Sequence, residues 1–132
     1  MHYQNNKLQT RFQKKEETKM KPNITMIGMP SSGKSTVGVL LAKRLGFSFI
    51  DVDIVIQEKE GRLLKEIIAD EGMDGFLEVE NRINAGLEAK MSVIAPGGSV
   101  IYGKEAMDHL KEISEIVYLK MSYEEMEKRM ET

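Results

Sequence analysis

The chain contains no cysteine, so disulfides and thiolate metal sites are both excluded. It has only two histidines, His2 and His109. Their separation argues against a histidine-based metal centre or catalytic dyad, and His109, within "KEAMDHLKEI", is expected on an exposed helix face. Tryptophan is absent, and no apolar run approaches the ~20 residues that a membrane-spanning helix needs. The opening "MHYQNNKLQTRFQKKEETK" has no apolar core of the kind a secretory signal requires. Those absences leave an ordinary charged chain of 132 residues, enough for one domain with one core. A cytoplasmic location and a monomer are expected.

Charge is unevenly spread over the net −2. Residues 1–21 carry six Lys or Arg against Glu16 and Glu17 and are expected to form a disordered basic tail. The remaining body, residues 22–132, is acidic, which argues against nucleic acid as a partner.

Within that body, short apolar runs alternate with amphipathic stretches. "ITMI" (Ile24–Ile27), "FSFI" ending at Asp51, "SVIA" (Ser92–Ala95) and "IVYL" (Ile116–Leu119) read as strands. Helical spacing marks "KSTVGVLLAKRL", then Asp53 to Lys90 with breaks at Gly61 and at Gly72–Gly75, then "KEAMDHLKEI". A last helix is expected behind Ser122. Strands alternating with helices imply parallel pairing through helical crossovers, and hence a three-layer α/β/α sandwich. Ligands then belong at the carboxyl ends of the strands.

Two stretches fall at those ends. The first, "GMPSSGKST", comprises Gly28, Met29, Pro30, Ser31, Ser32, Gly33, Lys34, Ser35 and Thr36, and it fits the pattern G-x-x-x-x-G-K-[ST]. Between a strand and a helix, such a loop turns its backbone N–H groups inward around a phosphate, helped by the helix N-terminus. Lys34 would reach the β- and γ-phosphates of ATP, and Ser35 would offer its hydroxyl to Mg2+. The second stretch is "FIDVD". Asp51 and Asp53, two apart in an extended segment, are expected to face the same side, one serving Mg2+ and the other taking a proton from an attacking hydroxyl. The structural alternative is that Asp53 caps the helix that follows.

The segment "IGMPSSGKSTVGVLLAKRLGFSFIDVD" resembles the shikimate kinase family, as do "EGRLLKEIIADEGMDGFLEVE" and "VIAPGG". The resemblance runs from about Asn23 to Met130 and implies a P-loop NTPase fold of the nucleoside monophosphate kinase type. It also implies ATP-dependent phosphorylation of the 3-hydroxyl of shikimate. By this resemblance Lys34 is the phosphate-binding lysine, Ser35 and Asp51 serve magnesium, and Asp53 is the base that contacts the substrate hydroxyls. Gly97 and Gly98 would close over the substrate, and Arg129 would lie near the adenine.

Three departures stand out. Leu77 replaces the arginine of the family's F-R-x-x-E segment, Ser99 replaces the third glycine of a triplet, and Thr132 falls inside the helix before the family's lid. The lid arginine, a later substrate-binding arginine and a fifth strand would lie beyond it, leaving "IVYL" at a sheet edge. Glu80 remains without its usual arginine. Either it makes the substrate end unusually acidic, favouring a neutral or cationic alcohol, or it pairs with Arg62 or Arg82 on a helix surface. Arg82 also stands four residues after Glu78, a spacing that suits an ion pair. The rival functions are another small-molecule P-loop kinase and a nucleotide-binding module without catalysis.

Overall fold

The computed structural model describes residues 21–28, 34–120 and 128. The expected tail, most of the glycine-rich loop (29–33), Arg129 and the helix expected behind Ser122, apart from helical Lys128, lie outside the described residues. Four strands form one parallel sheet: β1 (Asn23–Gly28), β2 (Ser48–Asp51), β3 (Ser92–Ala95) and β4 (Ser114–Leu119), in the order β2-β3-β1-β4. Between them run α1 (Lys34–Leu45), α2 (Val52–Glu60), α3 (Leu64–Ala85) and α4 (Lys104–Ile113), with a short 3₁₀ turn at Val100–Tyr102 before α4.

Side-chain alternation along the strands divides the core between the two faces of the sheet. Met26 and Val93 pack with Ala42, Val37 and Leu41 of α1 and with Phe49. Ile27 and Ile94 face the other way, against Val52 and Ile56 of α2, Ile67, Phe76, Val79 and Ile83 of α3, and Ala106 and Leu110 of α4. Each large side chain fully buried in this way contributes about 1.5–3 kcal/mol. The three-layer arrangement expected from the pattern is therefore present.

The long helical stretch differs in detail from expectation. Gly61 does end α2, in a left-handed conformation (φ 65°, ψ 24°). Gly72 (φ 75°, ψ 175°) kinks α3, but helix resumes through Gly75 and stops at Ala85 rather than Lys90. Leu87 and Ala89 belong to the link into β3, where Leu87 joins the core and Ala89 packs against it. His109 is half-buried rather than exposed, its Nε2 2.6 Å from the Leu87 carbonyl.

Register is set at the amino end of the sheet by polar side chains. Asn23 is 1% exposed. Its Nδ2 donates to the Ala89 and Ile113 carbonyls, both at 3.0 Å, and its Oδ1 accepts from Ser92 N at 3.0 Å. One amide thus binds the segments entering β3 and β4 to β1. Next to it, the Thr25 and Ser114 hydroxyls lie 2.6 Å apart.

At the opposite end β4 approaches β1 so closely that a Cβ on Gly28 would collide with the Leu119 carbonyl oxygen. Among the described residues β4 is an edge strand, as expected, with Val117 and Tyr118 exposed. No helix among the described residues is long and apolar enough to cross a membrane.

Replacing Asn23 with alanine strands two carbonyls and an N–H at a buried junction. The expected loss is about 2–4 kcal/mol of unfolding free energy, measured as a lowered urea midpoint with unchanged slope.

Candidate functional site

The carboxyl ends of β1, β2 and β3 gather the residues singled out in the sequence. Gly28 closes β1, and Lys34, Ser35 and Thr36 form the first turn of α1. The Lys34 ammonium folds back to donate to the Gly28 carbonyl at 3.1 Å, and partial burial lowers its pKa from the ordinary lysine value. An ammonium is thereby held over the end of the central strand, beside a helix N-terminus. Both features attract an anion. Met29, Pro30, Ser31, Ser32 and Gly33 lie outside the described residues, as does Arg129.

The aspartate pair requires a correction. Asp51 is the last residue of β2 and the N-cap of α2, its Oδ1 accepting from Asp53 N at 3.0 Å. Asp53 sits inside the first helical turn. The two residues therefore do not share one extended segment, and the capping role belongs to Asp51 rather than Asp53. The helix starts at Val52 behind the Asp51 cap, and Val52, fully buried, packs its first turn into the core. Asp53 is consequently directed toward β3 and α3.

Its neighbours there are Gly97 and Glu80. Gly97 has φ +100°, and a Cβ built on it would lie 2.9 Å from Glu80 Oε2 and 3.5 Å from Asp53 Oδ1. The positive φ is what favours glycine at this position. Gly98 has open space around it, and Ser99 adopts φ −99°, so the third position of the triplet makes no demand for glycine.

Glu80 is only 3% exposed. It does not pair with either arginine suggested by the sequence. Arg62 is held by Glu60, Asp70 and Glu71, and Arg82 by Glu60 at 3.2 Å. The Arg82 guanidinium is thus directed to Glu60 on α2 rather than to Glu78 on its own helix. Burial, and then the nearby Asp53 charge, push the Glu80 carboxyl up to about 7. Burial raises the Asp53 carboxyl too, with Asp51 adding to the effect.

Two asparagines that the sequence reading passed over hold this corner together. Asn84 is fully buried and donates to the Glu80 carbonyl at 3.0 Å and the Pro96 carbonyl at 3.2 Å, tying α3 to the turn that carries Gly97. Asn81 caps α4 from outside, accepting from Ala106 N and donating to Glu105, both at 2.9 Å. The available signal was "ENRIN" itself, two poor helix formers inside an otherwise strong helical run.

A cavity of about 300 Å³ opens against these residues, lined by Leu77, Glu80, Asn81, Ser99 and Tyr102 among others. For a metal ion, the described residues contain no cluster of three or more histidine or carboxylate side chains. The donors that remain are the Ser35 hydroxyl and the Asp51 carboxylate, one of whose oxygens is already used for capping. Such a sparse set suits Mg2+ carried on phosphates and completed by water, rather than an ion caged by protein.

Comparison with known proteins agrees with this arrangement. The family model for shikimate kinase matches residues 30–132. The shikimate kinase of Clostridium botulinum (strain ATCC 19397 / Type A) is 46% identical over 110 residues, covering 82% of this chain and 64% of that protein. That of Persephonella marina is 40% identical over 98 residues, covering 74% and 60%. Among solved structures, shikimate kinase from Acinetobacter baumannii in complex with shikimate superposes with a TM-score of 0.70 at 34% identity, covering 83% of this chain and 62% of that one. The Aquifex aeolicus shikimate kinase gives 0.60 at 31%, covering 79% and 62%. The chain thus spans less than two thirds of the length of these relatives.

Glu80 gives the site a pH signature. A carboxyl whose folded pKa exceeds its unfolded value stabilises the fold below the unfolded pKa and loses that contribution as pH rises through the folded one. Between about pH 4.5 and 7, wild-type stability should therefore fall relative to Glu80→Gln. The gap should reach on the order of 2–3 kcal/mol by pH 8. Parallel urea titrations of both proteins at pH 5 and pH 8 check this, and equal pH slopes would contradict it.

Proposed function

The chain belongs to the shikimate kinase family, and from that premise we propose that it carries the nucleotide site and the acceptor-hydroxyl site of an ATP-dependent phosphotransferase. The acceptor is the 3-hydroxyl of shikimate or of a similar small alcohol. The observation that carries this reading is the juxtaposition of two charge types at the strand ends. Lys34 lies over β1 at a helix N-terminus, and Asp53, with a raised pKa, stands where the next strand meets its helix.

In this reading residues 28–36 hold the phosphates of ATP. Ser35 and Asp51 are the side chains that would hold Mg2+, which when bound neutralises phosphate oxygens. Arg129 belongs near the base. Gly97 and Gly98 offer backbone to the acceptor at close range. Asp53 accepts the hydroxyl proton as the acceptor oxygen bonds to the γ-phosphorus and the bridge to the β-phosphate breaks, releasing ADP. The environment that raises the Asp53 pKa makes its carboxylate a stronger base than an exposed aspartate. Residues 22–132 act as one kinase domain, a monomer in the cytoplasm, with no nucleic acid or membrane partner.

Two substitutions separate binding from chemistry. Lys34→Ala should weaken Mg-ATP at least tenfold by calorimetry, about 1.4 kcal/mol or more. Asp53→Asn should leave nucleotide affinity within about threefold, while transfer from [γ-32P]ATP to shikimate falls by two or more orders of magnitude. Unaltered Mg-ATP affinity in Lys34→Ala would refute the nucleotide site. Nucleotide binding with no transfer by the wild type to any alcohol would leave a binding module and refute the enzyme.

A further inference from the structure

The backbone between β3 and α4, residues 96–103, carries Gly97 and Gly98 and is fastened to one helix at both ends. At its start, Asn84 of α3 donates to the Pro96 carbonyl at 3.2 Å, and also to the Glu80 carbonyl of its own helix at 3.0 Å. At its far end, Asn81 accepts from Ala106 N at 2.9 Å, and its Oδ1 occupies the place that a Cβ on Gly103 would take. Residues 81 and 84 are neighbours on one face of the helix. Between these ties stand two glycines, the residues with the widest backbone freedom, one at φ +100° and the other with open space around it.

Asn84 is a costly residue for its position. It is a poor helix former, fully buried, and its Oδ1 has no hydrogen-bond partner among the described residues. A leucine would fill similar space without that oxygen, but it could not donate to a carbonyl outside its own helix. Asn84 is not among the residues that line the cavity between α3 and α4. Its reach toward that space is therefore through the turn it holds.

We propose that Asn84 is a positioning residue for the acceptor. By tying the Pro96 carbonyl to α3, it fixes the Gly97–Gly98 backbone in the arrangement that receives the acceptor, without touching the acceptor itself. The inference rests on the proposed kinase reading, in which those two glycines offer backbone to the acceptor. Released from the tie, the glycines spread over many conformations. Apparent acceptor affinity then falls in proportion to the fraction that stays competent, about tenfold if one molecule in ten does. The nucleotide side, at β1 and α1, lies on other elements and keeps its affinity.

Asn84→Leu, compared with the wild type and with Asn23→Ala, separates positioning from stability alone, because Asn23 acts at the opposite end of the sheet. Native-state amide exchange across residues 97–103 should quicken about tenfold or more in Asn84→Leu and stay within about threefold in Asn23→Ala. In calorimetric titrations of each protein saturated with Mg-ADP, shikimate affinity should fall about tenfold or more in Asn84→Leu. It should stay within about threefold in Asn23→Ala, as should Mg-ADP affinity in both variants. If Asn84→Leu does not fold, Asn84→Ala decides on the same readouts. Unchanged exchange across residues 97–103, or unchanged shikimate affinity in the Asn84 variant, overturns the proposal. An equal loss of shikimate affinity in Asn23→Ala also overturns it, by reducing Asn84 to a structural role. Mg-ADP binding by the wild type without shikimate binding overturns it too, while the nucleotide half of the function stands. Failure of Mg-ADP itself to bind removes the functional reading together with the inference.

Discussion

The structure depends on the tie that Asn23 makes at the amino end of the sheet. A parallel sheet has no hairpins to set its register, because each strand arrives through a long crossover. Here a single buried amide contacts the segments entering both neighbours of β1, and the adjacent Thr25–Ser114 contact reinforces one of them. With that end pinned, the opposite end follows. Asp51 falls beside Ala95, and Gly28 beside Leu119. The strands then deliver Lys34, Asp53 and Gly97 to one edge of the molecule, although 63 residues separate the first of these from the last. A one-residue slip would reverse every side chain between the two core clusters.

The site, by contrast, is held against its own electrostatics. Burial raises the cost of ionising both Asp53 and Glu80; the Asp51 charge adds to it at Asp53, and the Asp53 charge adds to it at Glu80. Nothing in the pair is self-stabilising, so the surrounding structure has to impose it. Asn84 does so from beneath, joining the Glu80 backbone to the Pro96 carbonyl, and Asn81 fixes the start of α4 beyond it. Glu60, which is also partly buried, is instead satisfied by Arg62 and Arg82. The contrast between Glu60 and Glu80, twenty residues apart in one acidic chain, separates a carboxylate satisfied by arginines from one with no such partner among the described residues.

Most of the architecture was legible because its signals are local. Short apolar runs gave four strands in their observed places, and the spacing of apolar residues gave α1 and α4. The glycine-rich loop was read as a nucleotide site from its spacing alone, and residues 29–33 of it lie outside the described residues. Legibility failed where an outcome depends on a neighbour distant in sequence. Asp51 and Asp53 read as a two-residue period, but Asp51 caps a helix that begins between them. Arg62 and Arg82 read as partners for Glu80 because helical proximity is visible in a sequence, whereas the pull of Glu60 from α2 is not. Gly28 read as a phosphate-loop residue; that it also makes room for the Leu119 carbonyl could be known only once β4 was placed.

The departures from the family pattern then take on different weights. Ser99 in place of glycine changes little, since its backbone lies where any residue is comfortable. Leu77 changes more. Helix α3 places it on the same wall as Glu80, and the described arginines Arg62 and Arg82 are held by other carboxylates. An uncompensated buried charge is costly enough that a chain retaining it needs some other source of satisfaction. Burial, and then the Asp53 charge, push the Glu80 carboxyl up to about 7, and protonation then removes the charge. Glu80 therefore ties the stability of the fold to pH.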